Sequence, residues 1–175
     1  MNVQTNAPTD SRASGQGKGL ADLFEHAVRD MYYAEKKIYK SLPKMIKAAE
    51  DAALKEALTA HREETMGHVE TLETIFDHLG KRPRAEKCDA IDGILDEATG
   101  LLEDFSGSSV SDAAIVFSCQ AVEHYEITRY GSMRAFAEAL GHSDAAELID
   151  AVLAEEKAAD EKLSSLSMGQ MRAAA

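Results

Sequence analysis

Eight side chains that can hold a metal or move a proton stand at helical spacings in this sequence: Glu35, His61, Glu64, His68, Glu123, Glu126, Glu156 and Asp160. Carboxylate oxygens with imidazole at the margin form an oxygen-rich donor set that suits a pair of divalent or trivalent ions. The mixture of Glu and His favours iron or manganese over magnesium or zinc.

These residues interrupt apolar stripes rather than lying beside them. In the first stripe the register 24, 28, 31, 35, 38, 42 places Glu35 inside. In the second, 54, 58, 61, 64/65, 68, 72 places His61, Glu64 and His68 inside. The third, 116, 119, 122/123, 126, 130, 133, carries Glu123 and Glu126, and the fourth, 149, 152/153, 156, 160, 163, carries Glu156 and Asp160. A single inward Glu is ordinarily a rim residue or one end of an ion pair. Six carboxylates at one level are different, because an unpaired buried charge costs several kcal/mol in a domain with only about 5–15 kcal/mol of net stability. No Lys or Arg lies on the four stripes to neutralise them; Lys36 and Arg129 fall on other faces. Bound cations or shared protons are the remaining solutions.

The elements that must position these groups are four long helices. Apolar residues recur at three and four from Leu20 to Ala49, a helix of roughly 30 residues and about 45 Å, with Pro43 inside it expected to kink it. The second runs through Leu54 to Leu79 and stops at Gly80; the third runs from Val116 to Leu140 and stops at Gly141; the fourth opens at Ser143 with cap signals and continues to Leu166. Short connections near Asp51 and at Gly141-His142-Ser143 make two antiparallel pairs. Between the pairs, residues 81–111 carry a short helix with Ile91, Ile94, Leu95, Leu101 and Leu102 as its apolar positions, a length suited to a crossover along the bundle. The expected fold is therefore all-α, a ferritin-like four-helix bundle with an extra crossover helix. Counting from the two turns, Glu35 and Glu126 both lie about 16 residues, roughly 25 Å, away. The halves form a weak repeat, with Glu35-x-x-x-Tyr39 matched by Glu126-x-x-x-Tyr130.

The chain of 175 residues has 19 Lys and Arg against 31 Asp and Glu, a net charge of −12. That sign argues against nucleic acid or an anionic membrane as the main partner, and no apolar run is long enough for a membrane helix. The domain is expected over 20–167, with a polar, Gly- and Ser-rich tail at 1–19 and a short C-terminal tail at 168–175. The first residues lack the apolar stretch of a secretory signal, so a cytoplasmic protein with Cys88 and Cys119 as reduced thiols is expected. His26, His78 and His142 read as surface residues, and His124 as a structural hydrogen-bonding group. All five tyrosines lie on the first and third long helices near the acidic level. Packing accounts for them as a group, and Tyr39 and Tyr130 are best placed to hydrogen-bond ligand carboxylates.

The stretches Ala34-Glu35-Lys36, His61-Arg62-Glu63-Glu64-Thr65, Val122-Glu123-His124-Tyr125-Glu126 and Glu155-Glu156-Lys157-Ala158-Ala159-Asp160 resemble the bacterial YciE/YciF family of the ferritin-like superfamily. The resemblance covers nearly all of 20–167. It implies a dimetal site by kinship with rubrerythrin and manganese catalase, a homodimer, and a place in bacterial stress responses. It carries Glu35, Glu64, Glu126 and Glu156 over as metal ligands, with His61, Glu123, Asp160 and His68 beside them. One departure stands out. The ferritin-like dimetal pattern repeats Glu-x-x-His on two helices, whereas Glu64 is followed by His68 at the fourth place and Glu156 by Ala159 at the third and Asp160 at the fourth. Three functions follow as alternatives: a dimetal protein that reacts with peroxide or oxygen, a non-catalytic stress protein with a structural or vestigial metal site acting as a dimer, and a metal store.

Overall fold

The computed structural model describes residues 18–174. Five helices follow in order: α1 (Leu20–Ala48), α2 (Ala52–His78), α3 (Asp89–Asp104), α4 (Ser111–Leu140) and α5 (Ser143–Ala174). Helix α5 runs through most of the residues assigned above to a C-terminal tail; the N-terminal tail lies almost wholly outside the described residues. No described helix is long and apolar enough to cross a membrane.

The turns set the architecture. Asp51 caps α2 by accepting a hydrogen bond from the Leu54 amide at 2.8 Å, so α1 and α2 reverse direction within three residues. Gly141 ends α4 at φ 76°, a left-handed conformation that a side chain would strain, and the His142 amide donates back to the Ala137 carbonyl at 2.9 Å. Helices α4 and α5 therefore also pair antiparallel. The crossover between the pairs is pinned where the Glu86 amide donates to the Arg29 carbonyl at 3.1 Å, and α3 then lies against α1 and α4. The result is the ferritin-like arrangement, with α1 against α4 and α2 against α5 closing the four-helix bundle. Pro43 sits on the exposed side of α1, which continues past it to Ala48.

The core is aliphatic and aromatic at both ends of the bundle: Phe24, Val28, Met31, Leu72, Ile75, Met133 and Ile149 near the α4–α5 turn, and Leu42, Met45, Leu54, Leu58 and Ile115 near the α1–α2 turn. Burying each of these side chains contributes about 1.5–3 kcal/mol, which is what permits a polar layer between them. The two halves are clamped at one end by Asp112, whose carboxylate oxygens accept from the Glu50 and Asp51 amides at 2.8 and 2.7 Å. Asp112→Ala should lower stability by about 1 kcal/mol, read as a lower urea midpoint at constant slope; an unchanged midpoint would show that water replaces the clamp without loss.

Candidate metal centre

Halfway along the bundle the four long helices turn six polar side chains into the core. Glu35 comes from α1, His61 and His68 from α2, Glu123 and Glu126 from α4, and Glu156 from α5; all are buried. On α2 the inner line runs 58, 61, 65, 68, 72, steps of three and four that keep one face of the helix inward. On α4 the pair Glu123 and Glu126 spans less than one turn, so both carboxylates reach the same level.

The ligand atoms gather into two groups that share one residue. His61, Glu123, Glu126 and Glu156 each place a donor atom within 4.8 Å of the others, and Glu35, His68 and Glu156 do the same. His61 Nε2 is 3.3 Å from Glu123 Oε1, and His68 Nδ1 is 3.0 Å from Glu156 Oε1 and 3.6 Å from Glu35 Oε1. Despite this proximity the atoms do not satisfy one another. Both oxygens of Glu126 and of Glu156, Oε2 of Glu35 and of Glu123, both ring nitrogens of His61 and Nδ1 of His68 are buried with no hydrogen-bond partner. Each such orphan costs about 1–3 kcal/mol, more where the group is charged. Native cores avoid this arrangement unless a ligand completes it. The two groups could hold metal ions, and the four carboxylates would balance two divalent cations in formal charge.

The protons respond to the same crowding. Burial first, then the charges of Glu156, Glu35 and Glu123, holds the Glu126 carboxyl well above the usual carboxylate range. Burial likewise raises Glu35, and raises Glu123 to about 8. Burial alone would lower the two imidazoles. It is outweighed at His61 by Glu64 and the buried carboxylates, which raise it to about 9, and at His68 by Glu156 and Glu35, which raise it to about 11. Cys119, one turn before Glu123, is kept out of this chemistry because burial pushes its thiol up to about 12.

Around the cluster, other residues hold the ligands in place. The Tyr130 hydroxyl donates to Glu35 Oε1. His68 Nε2 lies 2.8 Å from Glu155 Oε2, and His61 Nδ1 lies 3.5 Å from Glu64 Oε2, so each imidazole has an exposed carboxylate on one nitrogen and buried carboxylates on the other. This is the usual way a carboxylate fixes the tautomer and orientation of a metal-binding histidine.

Two expected ligands are placed elsewhere. Glu64 is exposed and reaches only the outer side of His61, because Thr65 takes the inward position on α2 and donates its hydroxyl to the His61 carbonyl at 2.8 Å. Asp160 is partly exposed and turns to α4, where it accepts from Gln120 at 3.2 Å and lies 3.2 Å from His124. His124 itself is exposed, and this contact is an ion-pair distance rather than the hydrogen bond expected of it. Tyr39 does not touch a carboxylate; the Arg62 guanidinium lies over its ring at 4.0 Å. His26 and His78 are exposed as expected, while His142 is half-buried and stacks on Phe24. Glu155 escaped the sequence reading, although its place beside Glu156 was visible. Thr65 escaped it too, although it stands three residues before His68, where the Glu-x-x-His pattern has its Glu.

The match to known proteins follows this geometry. The family described as Domain of unknown function (DUF892) matches residues 19–175. Protein YciF of Escherichia coli is 37% identical over 155 residues, which are 88% of this chain and 93% of that protein. The chain belongs to the DUF892 family. The solved structure of the E. coli stress protein YciF covers 89% of this chain and 99% of its own at a TM-score of 0.85 and 36% identity. YcfI from Rhodopseudomonas palustris covers 86% of this chain and 96% of its own at a TM-score of 0.83 and 46% identity. In this DUF892 protein Thr65 and Ala159 stand where the Glu-x-x-His pattern has its second-helix Glu and fourth-helix His. His61 lies one turn before Thr65 on α2 and Glu123 one turn before Glu126 on α4, and both bring a donor atom to the first group.

Proposed function

We propose that this protein is a dimetal-carboxylate protein of the bacterial stress response, with two iron or manganese ions held by the six buried residues. The observation that carries the reading is the set of buried donor atoms without hydrogen-bond partners. Glu156 belongs to both groups and would bridge the ions; His61, Glu123 and Glu126 would complete one set, and Glu35 and His68 the other. Iron or manganese bound there supplies the redox capacity for reaction with peroxide or oxygen. The protein's own part is to orient the donors through Tyr130 and Glu155 and to hold the polar layer between two apolar core regions. The stress role rests on the E. coli relative, whose structure is described as that of a stress protein.

Peroxide consumption by protein loaded with iron or manganese tests the chemistry. Wild type should consume peroxide at least about tenfold faster than Glu126→Ala at equal protein concentration, and equal rates would remove the catalytic claim. In that event the non-catalytic reading takes its place. It is favoured by the closed donor set of four around His61, which resembles a structural site more than an open catalytic one. Either reading has the chain acting as a homodimer, for which exposed Leu23 and Phe117 supply apolar surface; sedimentation at micromolar concentration should give twice the chain mass of 19.0 kDa.

A further inference from the structure

Helices α2 and α5 do not close on each other along their whole length. Between them lies a cleft of about 340 Å³ whose walls are alanines: Ala53, Ala57 and Ala60 on α2, Ala158 and Ala159 on α5. Its rim carries Glu56, Glu64 and Glu155 against one positive group, Lys162. Its floor is the metal centre itself, because His61 and Glu123 line it. His61 is 7% exposed with neither ring nitrogen hydrogen-bonded, and Glu123 is 2% exposed with Oε2 unpartnered. Buried donor atoms without partners, just beneath the inner end of a cleft, are placed to receive something that arrives through it.

We propose that this cleft is the port through which hydrated divalent cations reach the centre, a reading that rests on the dimetal assignment above. Charge and size point to the occupant. The rim carboxylates set a negative field that concentrates cations and repels anions in a low-dielectric cleft. Six water molecules at about 30 Å³ each need about 180 Å³, so the cleft has room for an ion with its hydration shell. One of the alanines that line it, Ala159, stands three residues after Glu156, where the Glu-x-x-His pattern has an imidazole, so the wall is small at a place where that pattern is large. Glu155 then serves twice. It forms part of the rim and lies 2.8 Å from the outer nitrogen of His68, so an arriving ion meets that imidazole already oriented.

The test is the rate of Co2+ uptake by metal-free full-length protein, followed by the visible absorption bands of bound cobalt. Ala57→Leu with Ala159→Leu fills the walls without touching a ligand, and leucine is tolerated in helices. This double variant should load at least about tenfold more slowly than wild type, yet reach the same stoichiometry. Glu56→Lys reverses one rim charge outside the ligand set. It should slow uptake several-fold in dilute buffer, with the difference vanishing in about 0.5 M salt as screening shortens. Unchanged rates in both variants would overturn the port while leaving the metal centre intact. Wild type that takes up no cobalt at all would instead overturn the metal centre, and the port with it. Should the leucine variant fail to fold, as circular dichroism would show, the Glu56→Lys rate alone decides.

Discussion

Glu126→Leu should make the metal-free protein more stable and at the same time remove its capacity to hold two ions. Both oxygens of Glu126 are buried without a partner, and burial first, then the charges of Glu156, Glu35 and Glu123, holds its proton in place. In the absence of metal this side chain carries the cost of burying a polar group and forms no hydrogen bond. Replacing such a buried group with an apolar one of similar volume typically stabilises by about 1–4 kcal/mol. For a chain of this length each kcal/mol raises the midpoint by roughly 2–4 °C. Thermal melts in chelator give the measurement. The expected result is a higher midpoint for the variant in chelator and a lower one than wild type when iron or manganese is present, because only wild type then gains binding free energy. A lower midpoint in chelator would mean that Glu126 has a stabilising partner and that the cluster is not built for metal.

The second large effect is a stability that runs the unusual way with pH. His61 and His68 have folded-state values of about 9 and 11, above the ordinary value of 6.5, so the stability they contribute is full below pH 6.5 and is lost as pH rises through 9 and 11. Glu123, Glu126 and Glu35 are also raised, because burial favours their neutral forms. A raised carboxyl keeps its proton in the folded state after the unfolded chain has released it, so its contribution also falls as pH rises above 4.5, for Glu123 until about 8. All five groups therefore act in one direction. Each proton held only by the folded state lowers stability by about 1.4 kcal/mol per pH unit. The metal-free midpoint should drop by more than about 5 °C between pH 6 and pH 8.5. Metal reverses the sign. Loading requires neutral imidazoles and ionised carboxylates, so at pH 7 two divalent ions should displace at least the protons of His61, His68 and Glu123 and bind more tightly as pH rises. Calorimetry in buffers of different ionisation enthalpy counts those protons. A flat pH profile in chelator, or loading without proton release, would contradict the account.

How far the sequence alone could go is clearest at α2 and α5. Six of the eight candidate ligands come together because each interrupts a long apolar stripe, and a charged residue on the buried line has no other place to go. The two exceptions share a cause. A repeat of 3.6 leaves 64 and 65 almost equally compatible with a stripe through 61 and 68, and chemistry alone favoured the Glu over the Thr. The packed bundle makes the opposite choice, because Thr65 can bury its methyl group and return its hydroxyl to the His61 carbonyl, whereas Glu64 can do neither. Asp160 is the same case on α5: it lies at the edge of the line and finds Gln120 and His124 on α4. Other features depend on distances between helices, which periodicity does not carry. The reach of Tyr130 across to Glu35, the support of His68 by Glu155, and the cleft between α2 and α5 are of this kind.

The reading of the charge also changes with the structure. A net charge of −12 suggests a uniformly acidic surface. Four of those carboxylates, Glu35, Glu123, Glu126 and Glu156, belong instead to the interior and match the charge of two divalent ions.

The central claim is that these four carboxylates and two imidazoles form a two-ion site bridged by Glu156. Crystals of protein purified without chelator and loaded with iron or manganese test it directly by anomalous scattering at the iron and manganese edges. The account predicts two peaks per chain, one among His61, Glu123, Glu126 and Glu156 and one among Glu35, His68 and Glu156. A bundle core with no anomalous peak after loading, or peaks confined to surface carboxylates such as Glu64 and Asp160, would contradict it.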